Sequence, residues 1–401
     1  MKYTRIILAA LAAVPVFLSA QTDYSATEQN EPNGSISTDC VYQLWQIDGD
    51  SLGSVSQVSF PVTLTLPLNS AVQLTIVHTP ALSKANDIYD KNYRTRAKHD
   101  QMKINGLSDT WVQGTYLFPN NVAMLNLGVG VPTGKTRLTN NQFDLARQLS
   151  LNLFRYQVPI YGQGFCGRAG GAASFPMGKT AVAGVGGQYL YRGKYHPISY
   201  TYAYPGLVGP ATPYDPEYKP GNEVTAQAGL DLLLGEKFKL MVDVEYTAYQ
   251  RDMLGGKEVF KSGTRSLASV GLYRQFDQRF FMANVRYRIK GKHEFLDSLA
   301  LNMQTSTRNL LGNQIEADMV FKAYAFRDGG FFIYGDLRVY DKNEYDTDGA
   351  LAVGGGIGFQ FPLGETVSGD FRIKFLGGNV KSPLTRNLLG MDAGIGLKFL
   401  L

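Results

Sequence analysis

The chain has 401 residues, with 39 Lys and Arg against 34 Asp and Glu and a formal net charge of +5. So slight an excess argues for neither a nucleic acid nor an acidic partner. Two cysteines among 24 Tyr, 22 Phe and 44 Gly exclude a disulfide scaffold, and no later stretch has the eighteen apolar residues a membrane helix needs.

Lys2 and Arg5, an apolar run from Ile6 to Leu18 and the Leu18-Ser19-Ala20 tripeptide read as a secretory signal peptide over residues 1–20. The run is short for a membrane anchor, and no Cys follows it to carry a lipid. Without Lys2 and Arg5, 37 basic residues face 34 acidic ones, a net of about +3. Residues 21–37 are then expected as a periplasmic segment and 38–401 as the body of the protein. Export without a membrane helix leaves two classes, a soluble secreted protein or an outer-membrane β-barrel. Cys40 and Cys166 enter an oxidising compartment and are free to pair or to stay apart.

From residue 54 onward, apolar residues recur at every second position between two kinds of connection. Tight turns fall at 67–70, 119–121, 177–179, 235–237, 277–278, 328–330 and 363–365. Long polar connections fall near 49–54, 80–106, 132–161, 194–220, 252–263, 291–310, 342–348 and 379–387. A soluble sandwich has no reason to sort short from long. A transmembrane antiparallel up-and-down β-barrel does, because one rim faces the periplasm and the other the outside. Seven tight turns give sixteen strands. If residues 21–69 form a plug or an arm instead, fourteen remain.

In chain order, the first strand is expected from Cys40 to Asp48. The stretch from Gly128 to Thr136 invites a phosphate-loop reading, but Val129 stands where that loop needs glycine, so it reads as a strand ending in a Pro-Gly turn at the outer rim. A helix is expected in the outer loop near 139–153, capped by Thr139 or Asn140, with Phe143, Ala146, Leu149 and Leu153 on one face. Five prolines between Ser199 and Pro220 mark a stiff aromatic loop. Over 237–250, Phe238, Leu240, Val242, Val244, Tyr246 and Ala248 face out. Segments 281–289 and 351–361 repeat the design. In the last strand, Leu389, Met391, Ala393, Ile395, Leu397, Phe399 and Leu401 share one wholly apolar face.

The opposite faces carry charge. Asp243 and Glu245 stand on one strand, Arg286 and Arg288 on another, and Glu316 and Asp318 on the next. Charges pointing into a barrel require a wet lumen or partners. Two arrangements follow: an acidic wall facing a basic wall across a constriction, or local ion pairs such as Arg288 with Glu316 or Asp318. Phe143, Leu149 and Phe154 are candidates for a mouth or gate, with the loop tyrosines from Tyr200 to Tyr204 beside them.

Catalytic spacing is missing. His78, His99, His196 and His293 are scattered, and no His/Cys/carboxylate cluster has metal-ligand spacing, so no cofactor and no metal are expected. The paired strands, aromatic outer faces and amphipathic last strand resemble Gram-negative outer-membrane barrels over nearly the whole mature chain. Val131-Pro132-Thr133-Gly134-Lys135 at a rim, followed by a helical loop, resembles the fatty-acid-channel and phenol-degradation transporter barrels. The Asn-Pro-Ala hatch tripeptide of the fatty-acid channels does not occur. The resemblance implies a channel for small solutes, slightly favouring hydrophobic or aromatic ones. The expected partners are outer-membrane lipids, the solute and the barrel-assembly machinery, with no nucleic acid; oligomerisation stays open. The alternatives are a structural or adhesive barrel with a blocked lumen and an outer-membrane lipid hydrolase.

Overall fold

The computed structural model describes residues 34–48, 53–86, 102–119, 122–197, 200–202, 212–297, 302–305, 312–326, 329–343, 348–382 and 384–401. The expected signal peptide, most of the expected periplasmic segment, and His99 lie outside these residues. The chain forms a closed barrel of sixteen antiparallel strands. They are β1 (Ser35–Ile47), β2 (Gly53–Ser59 and Val62–Pro67), β3 (Val72–His78 and Pro80–Asn86), β4 (Met102–Leu107 and Thr110–Leu117) and β5 (Ala123–Val131). Next come β6 (Cys166–Met177), β7 (Ala181–Arg192), β8 (Glu223–Leu233), β9 (Phe238–Tyr249), β10 (Arg265–Phe276) and β11 (Arg279–Lys290). The last five are β12 (Gln314–Phe326), β13 (Gly329–Tyr340), β14 (Gly349–Pro362), β15 (Val367–Ser382) and β16 (Leu384–Leu400).

Each strand pairs with its chain neighbours, and β1 closes on β16 from Ser35↔Leu400 to Ile47↔Leu388. The first strand therefore starts at Ser35, ahead of the expected Cys40. The tight connections at 67–70, 177–179, 235–237, 277–278 and 363–365 all lie at one end, where Gly178 and Gly235 take the positive φ that such turns favour. That end also holds both described chain ends, since Leu401 donates to the Gly34 carbonyl.

Alternation decides which side chains meet lipid. On β9, Val244 and Tyr246 are half exposed on the outside, whereas Glu245 and Thr247 are buried on the inside. On β16, Leu389, Ile395, Leu397 and Phe399 are exposed around the apolar girth. A closed sheet satisfies every strand amide without a free edge, and its outer face is apolar, which is the design of a bacterial outer-membrane protein. No described helix is long and apolar enough to cross a membrane; the strands do the crossing. Cys40 is exposed and Cys166 buried, and both are free thiols.

Two expected loops are corrected. The 379–387 loop is strand: β15 and β16 stay paired through Asn379↔Asn387, Lys381↔Thr385 and Ser382↔Leu384. The 80–106 connection is likewise eroded, because β3 runs to Asn86 and β4 starts at Met102. Polar residues mark where the sheet leaves hydrocarbon, and the ladder continues beyond that level into water. Outer segments Arg251–Leu254, Lys257–Lys261, Glu294–Asp297 and Asn302–Thr305 extend this by pairing with Tyr218–Lys219 in a small sheet of their own.

The two faces should tolerate charge differently. Val244→Arg, on the lipid face, is expected to cost roughly 2–4 kcal/mol. Asn284→Arg, an inward position paired with Asp318, is expected to cost much less. Urea unfolding of the barrel in bilayers measures both; equal costs would mean that the two faces are misassigned.

Candidate functional site

The connection between β5 and β6 turns inward and lines the outer half of the barrel. It opens with helix α1 (Asn140–Leu149), capped by a reciprocal Thr139–Gln142 box. Leu145 and Leu149 are buried against Met102 and Ile104 of β4. Of the expected helical face, Leu149 is buried and Ala146 and Leu153 pack against the same core, whereas Phe143 stays 42% exposed. The apolar stripe is turned by packing on β4, so Leu145 and Leu149, four residues apart, carry the contact.

After the helix the chain runs as an irregular segment, 150–165, along the inner wall. Phe154, Tyr156, Val158 and Tyr161 are all buried there. Phe154 packs 5.3 Å from the Trp45 ring, and the Trp45 Nε1–H donates to the Phe154 carbonyl at 2.9 Å. Trp45 lies flat across β16 because residue 390 is glycine; a Cβ there would sit 2.6 Å from the indole. Leu149 and Phe154, expected at the mouth, are thus structural members of a sealed core.

Two glutamines hold the irregular backbone. Gln43 on β1 and Gln57 on β2 stand opposite each other in register. Gln57 Nε2 donates to the Val158 carbonyl at 2.9 Å and its Oε1 accepts from Val158 N at 2.7 Å. Gln43 Nε2 donates to the Arg155 carbonyl at 2.9 Å and its Oε1 accepts from Gln157 N at 2.7 Å. Each side-chain amide does what a neighbouring strand's peptide would do. The Tyr161 hydroxyl, pushed up to about 12 by burial, stays neutral; it lies 2.7 Å from Ser83 Oγ and donates to the Ile104 carbonyl at 3.2 Å.

The other flank of the segment is electrostatic. Arg155, in a left-handed conformation at φ 50°, meets Glu316, Asp318 and Asp336. Its Nη1 lies 3.1 Å from Asp318 and 3.7 Å from Asp336, and its Nη2 bonds to Glu316. Burial works against the Arg155 charge, but these three carboxylates outweigh it and hold the guanidinium above its ordinary range. Arg338 donates to the Leu153 carbonyl at 2.8 Å and Tyr340 to the Asn152 carbonyl at 2.7 Å.

The base of the loop is tied by Asp109, which interrupts β4. Its carboxylate accepts from Gly134 N at 2.9 Å and from Gln163 N at 2.7 Å. Descending and returning strands of the loop touch there. A Cβ at position 134 would lie 2.1 Å from the Tyr161 carbonyl oxygen. The Pro-Thr-Gly-Lys rim therefore has a packing role: Gly134 lets the loop cross itself.

The inward charges expected from alternation are all on the inner wall. Register puts Asp243, Ser269, Arg286, Glu316 and Arg338 in one row across β9 to β13. They are neutralised by near neighbours. Arg286 bonds to Asp318, Arg288 lies 3.4 Å from Glu316, and Arg265 lies 2.8 Å from Glu245. Asp243 accepts from Ser269 at 3.4 Å. Short-range sequence patterns had no way to show Gln43, Gln57, Asp109 or Arg155 as partners, since each contact spans 25 residues or more. A polar residue on an inward strand position was the only local sign.

The described polar contacts of 150–163 fall on β12 and β13, on β1 to β4, and through Gln163 on Arg192 of β7. The walls of β8 to β11 carry their own pairs. Nearer the inner rim, aromatic rings run from β10 and β11 on to β13. Tyr273 and Phe280 are 5.8 Å apart, Phe280 and Phe332 6.2 Å, and Phe332 and Tyr334 6.4 Å. Lys322 Nζ lies 5.8 Å over Phe332 and Lys374 Nζ 5.1 Å over Tyr334. Among the described residues, no three His, Cys, Asp or Glu are grouped to hold a metal.

No family model and no curated protein sequence matches the chain. Solved structures similar to it are outer-membrane barrels at very low identity. OprB of Pseudomonas putida is 10% identical over 96% of this chain and 98% of that one, with a TM-score of 0.40. The COG4313 outer-membrane channel of Pseudomonas putida F1 is 8% identical over 92% and 96%, with a TM-score of 0.36. A deltaS2 mutant of the TodX monoaromatic hydrocarbon channel is 9% identical over 92% and 90%, with a TM-score of 0.42.

Two substitutions separate the anchors of the segment. Gln57→Leu keeps volume but leaves the Val158 N–H and C=O unpaired, a cost of roughly 1–3 kcal/mol. Arg155→Ala is expected to cost about 3 kcal/mol, the low end for breaking a buried ion pair, because Arg286, Arg288 and Arg338 remain to neutralise the carboxylates. Hydrogen exchange at Gln157 and Val158 should speed up in both variants while the β9 amides stay protected; unchanged exchange would show the segment is held by its apolar core alone.

Proposed function

We propose that the protein is an outer-membrane channel for small solutes whose bore is narrowed by the 132–165 loop. One observation carries this reading: the loop's described polar contacts leave the charged walls of β8 to β11 to face the lumen. A sixteen-strand barrel is too wide for strand side chains to fill, so a wall without a packing partner borders a water-filled path. The ion pairs on that wall suit water, since buried charges without it are costly.

The slight preference for hydrophobic or aromatic solutes loses the support expected from Leu149 and Phe154, which are sealed inside the loop core. It gains support from the inner rim, where Tyr273, Phe280, Phe332 and Tyr334 form a shelf of π faces beside Lys322 and Lys374. Flat solutes stack on such rings with little geometric demand. The adhesive reading, with its blocked lumen, requires that no current pass.

Planar-bilayer recording decides between the two. The purified barrel should conduct, and deletion of 139–152 should raise its unit conductance; a silent wild type that opens only on deletion would favour the blocked barrel. For the shelf, a Tyr273→Ala, Phe332→Ala double variant should slow liposome entry of phenol while leaving a sugar unaffected. Equal effects on both solutes would remove the aromatic preference and leave the channel.

A further inference from the structure

At the outer end of the open wall, beside Glu223 and Glu245, one cation stands without an ion-pair partner among the described residues. Arg265 on β10 and Lys290 on β11 stand directly opposite in register, both facing the lumen. Like charges so placed repel. Arg265 has Glu245 at 2.8 Å. Arg288, one inward position from Lys290, has Glu316 at 3.4 Å, but that carboxylate also serves Arg155 and Arg286. Lys290 has no ion pair among the described residues; its Nζ lies 5.7 Å over the Tyr249 ring.

Donors are in excess as well. The Nε–H groups of Arg265 and Arg288 are buried with no acceptor from the protein. Further round the bore, Arg168 of β6 bonds to Gln113 and lies 4.7 Å over Trp111, with no carboxylate beside it among the described residues. Folding would not retain opposed cations and spare donors at the outer half of the lumen for stability, since an acidic residue in place of Lys290 would pair with Arg265. An arriving anion supplies what is missing: negative charge between Lys290 and Arg265.

We propose that Lys290, with Arg265 and Arg288, forms an anion-binding site on the open wall, and that the channel passes small anions, carboxylates among the organic ones, in preference to cations. This rests on the channel reading and names its solute charge. Rings of cationic side chains select anions in this way when they line the path itself.

The test is the reversal potential of the full-length barrel in planar bilayers under a potassium chloride gradient. Wild type should favour chloride over potassium several-fold. Lys290→Gln should bring the ratio near unity, and Lys290→Glu should invert it. Sodium benzoate added to the outer side should reduce the chloride current of wild type and not that of Lys290→Glu. Heat-modifiable gel mobility confirms that each variant is folded. A conducting wild type that favours potassium, or a Lys290→Glu variant as anion-selective as wild type, overturns this proposal and spares the channel. A folded barrel that passes no current overturns both.

Discussion

Hydrocarbon offers a peptide group no hydrogen bond, and every other feature of this protein follows from that. The strands must pair on both sides, so β1 must find β16, and the ladder from Ser35↔Leu400 to Ile47↔Leu388 completes the closure. Closure at sixteen strands fixes a girth that inward side chains cannot fill. The lumen then either holds water or receives another part of the chain. In this protein the connection between β5 and β6 enters one side of the bore.

Bringing an irregular segment into the barrel raises the same constraint a second time. Its peptides have no ladder of their own at that depth. Gln43 and Gln57 supply one, each giving a donor and an acceptor to consecutive parts of the segment. Side-chain amides are suited to this because they are uncharged and carry both functions. Apolar packing of Phe154 on Trp45 then excludes water from these bonds, which strengthens them. On the far side the attachment changes in kind, from amide pairing to the Arg155 carboxylate cluster. One flank is short-ranged and dry; the other is ionic and borders the wet half.

Period two and turn chemistry are local, and they were legible. The strand count, the inner turns and the outward faces of β9 and β16 could all be read from neighbouring residues. Helix α1 was legible too, through Thr139 and the apolar spacing, although its buried face was misjudged at Phe143. The outer ends were not legible, because Asn379, Lys381 and Arg386 look like loop while they continue a ladder in water. The inserted segment was hidden for a different reason. Leu149 and Phe154 read as a greasy mouth, and only contacts with residues distant in the chain, Ile104 and Trp45 among them, place them in a core.

The asymmetry of the inserted loop links its packing to the proposed channel. Its anchors are concentrated from β12 round to β4, where inward glycine and alanine, such as Ala352 and Gly390, let it lie close to the wall. A loop so seated needs no counterpart on β8 to β11, and that wall is freed from packing duty. Freed positions can carry charge that stability alone would not keep, such as Lys290 opposite Arg265. The carboxylates, by contrast, are drawn toward the loop: Glu316, Asp318 and Asp336 all turn to Arg155. Holding the plug with acidic residues on one side leaves Lys290 on the opposite side without an ion-pair partner among the described residues, and on the proposed channel reading the same ion network that narrows the bore would also bias the charge of what passes through it.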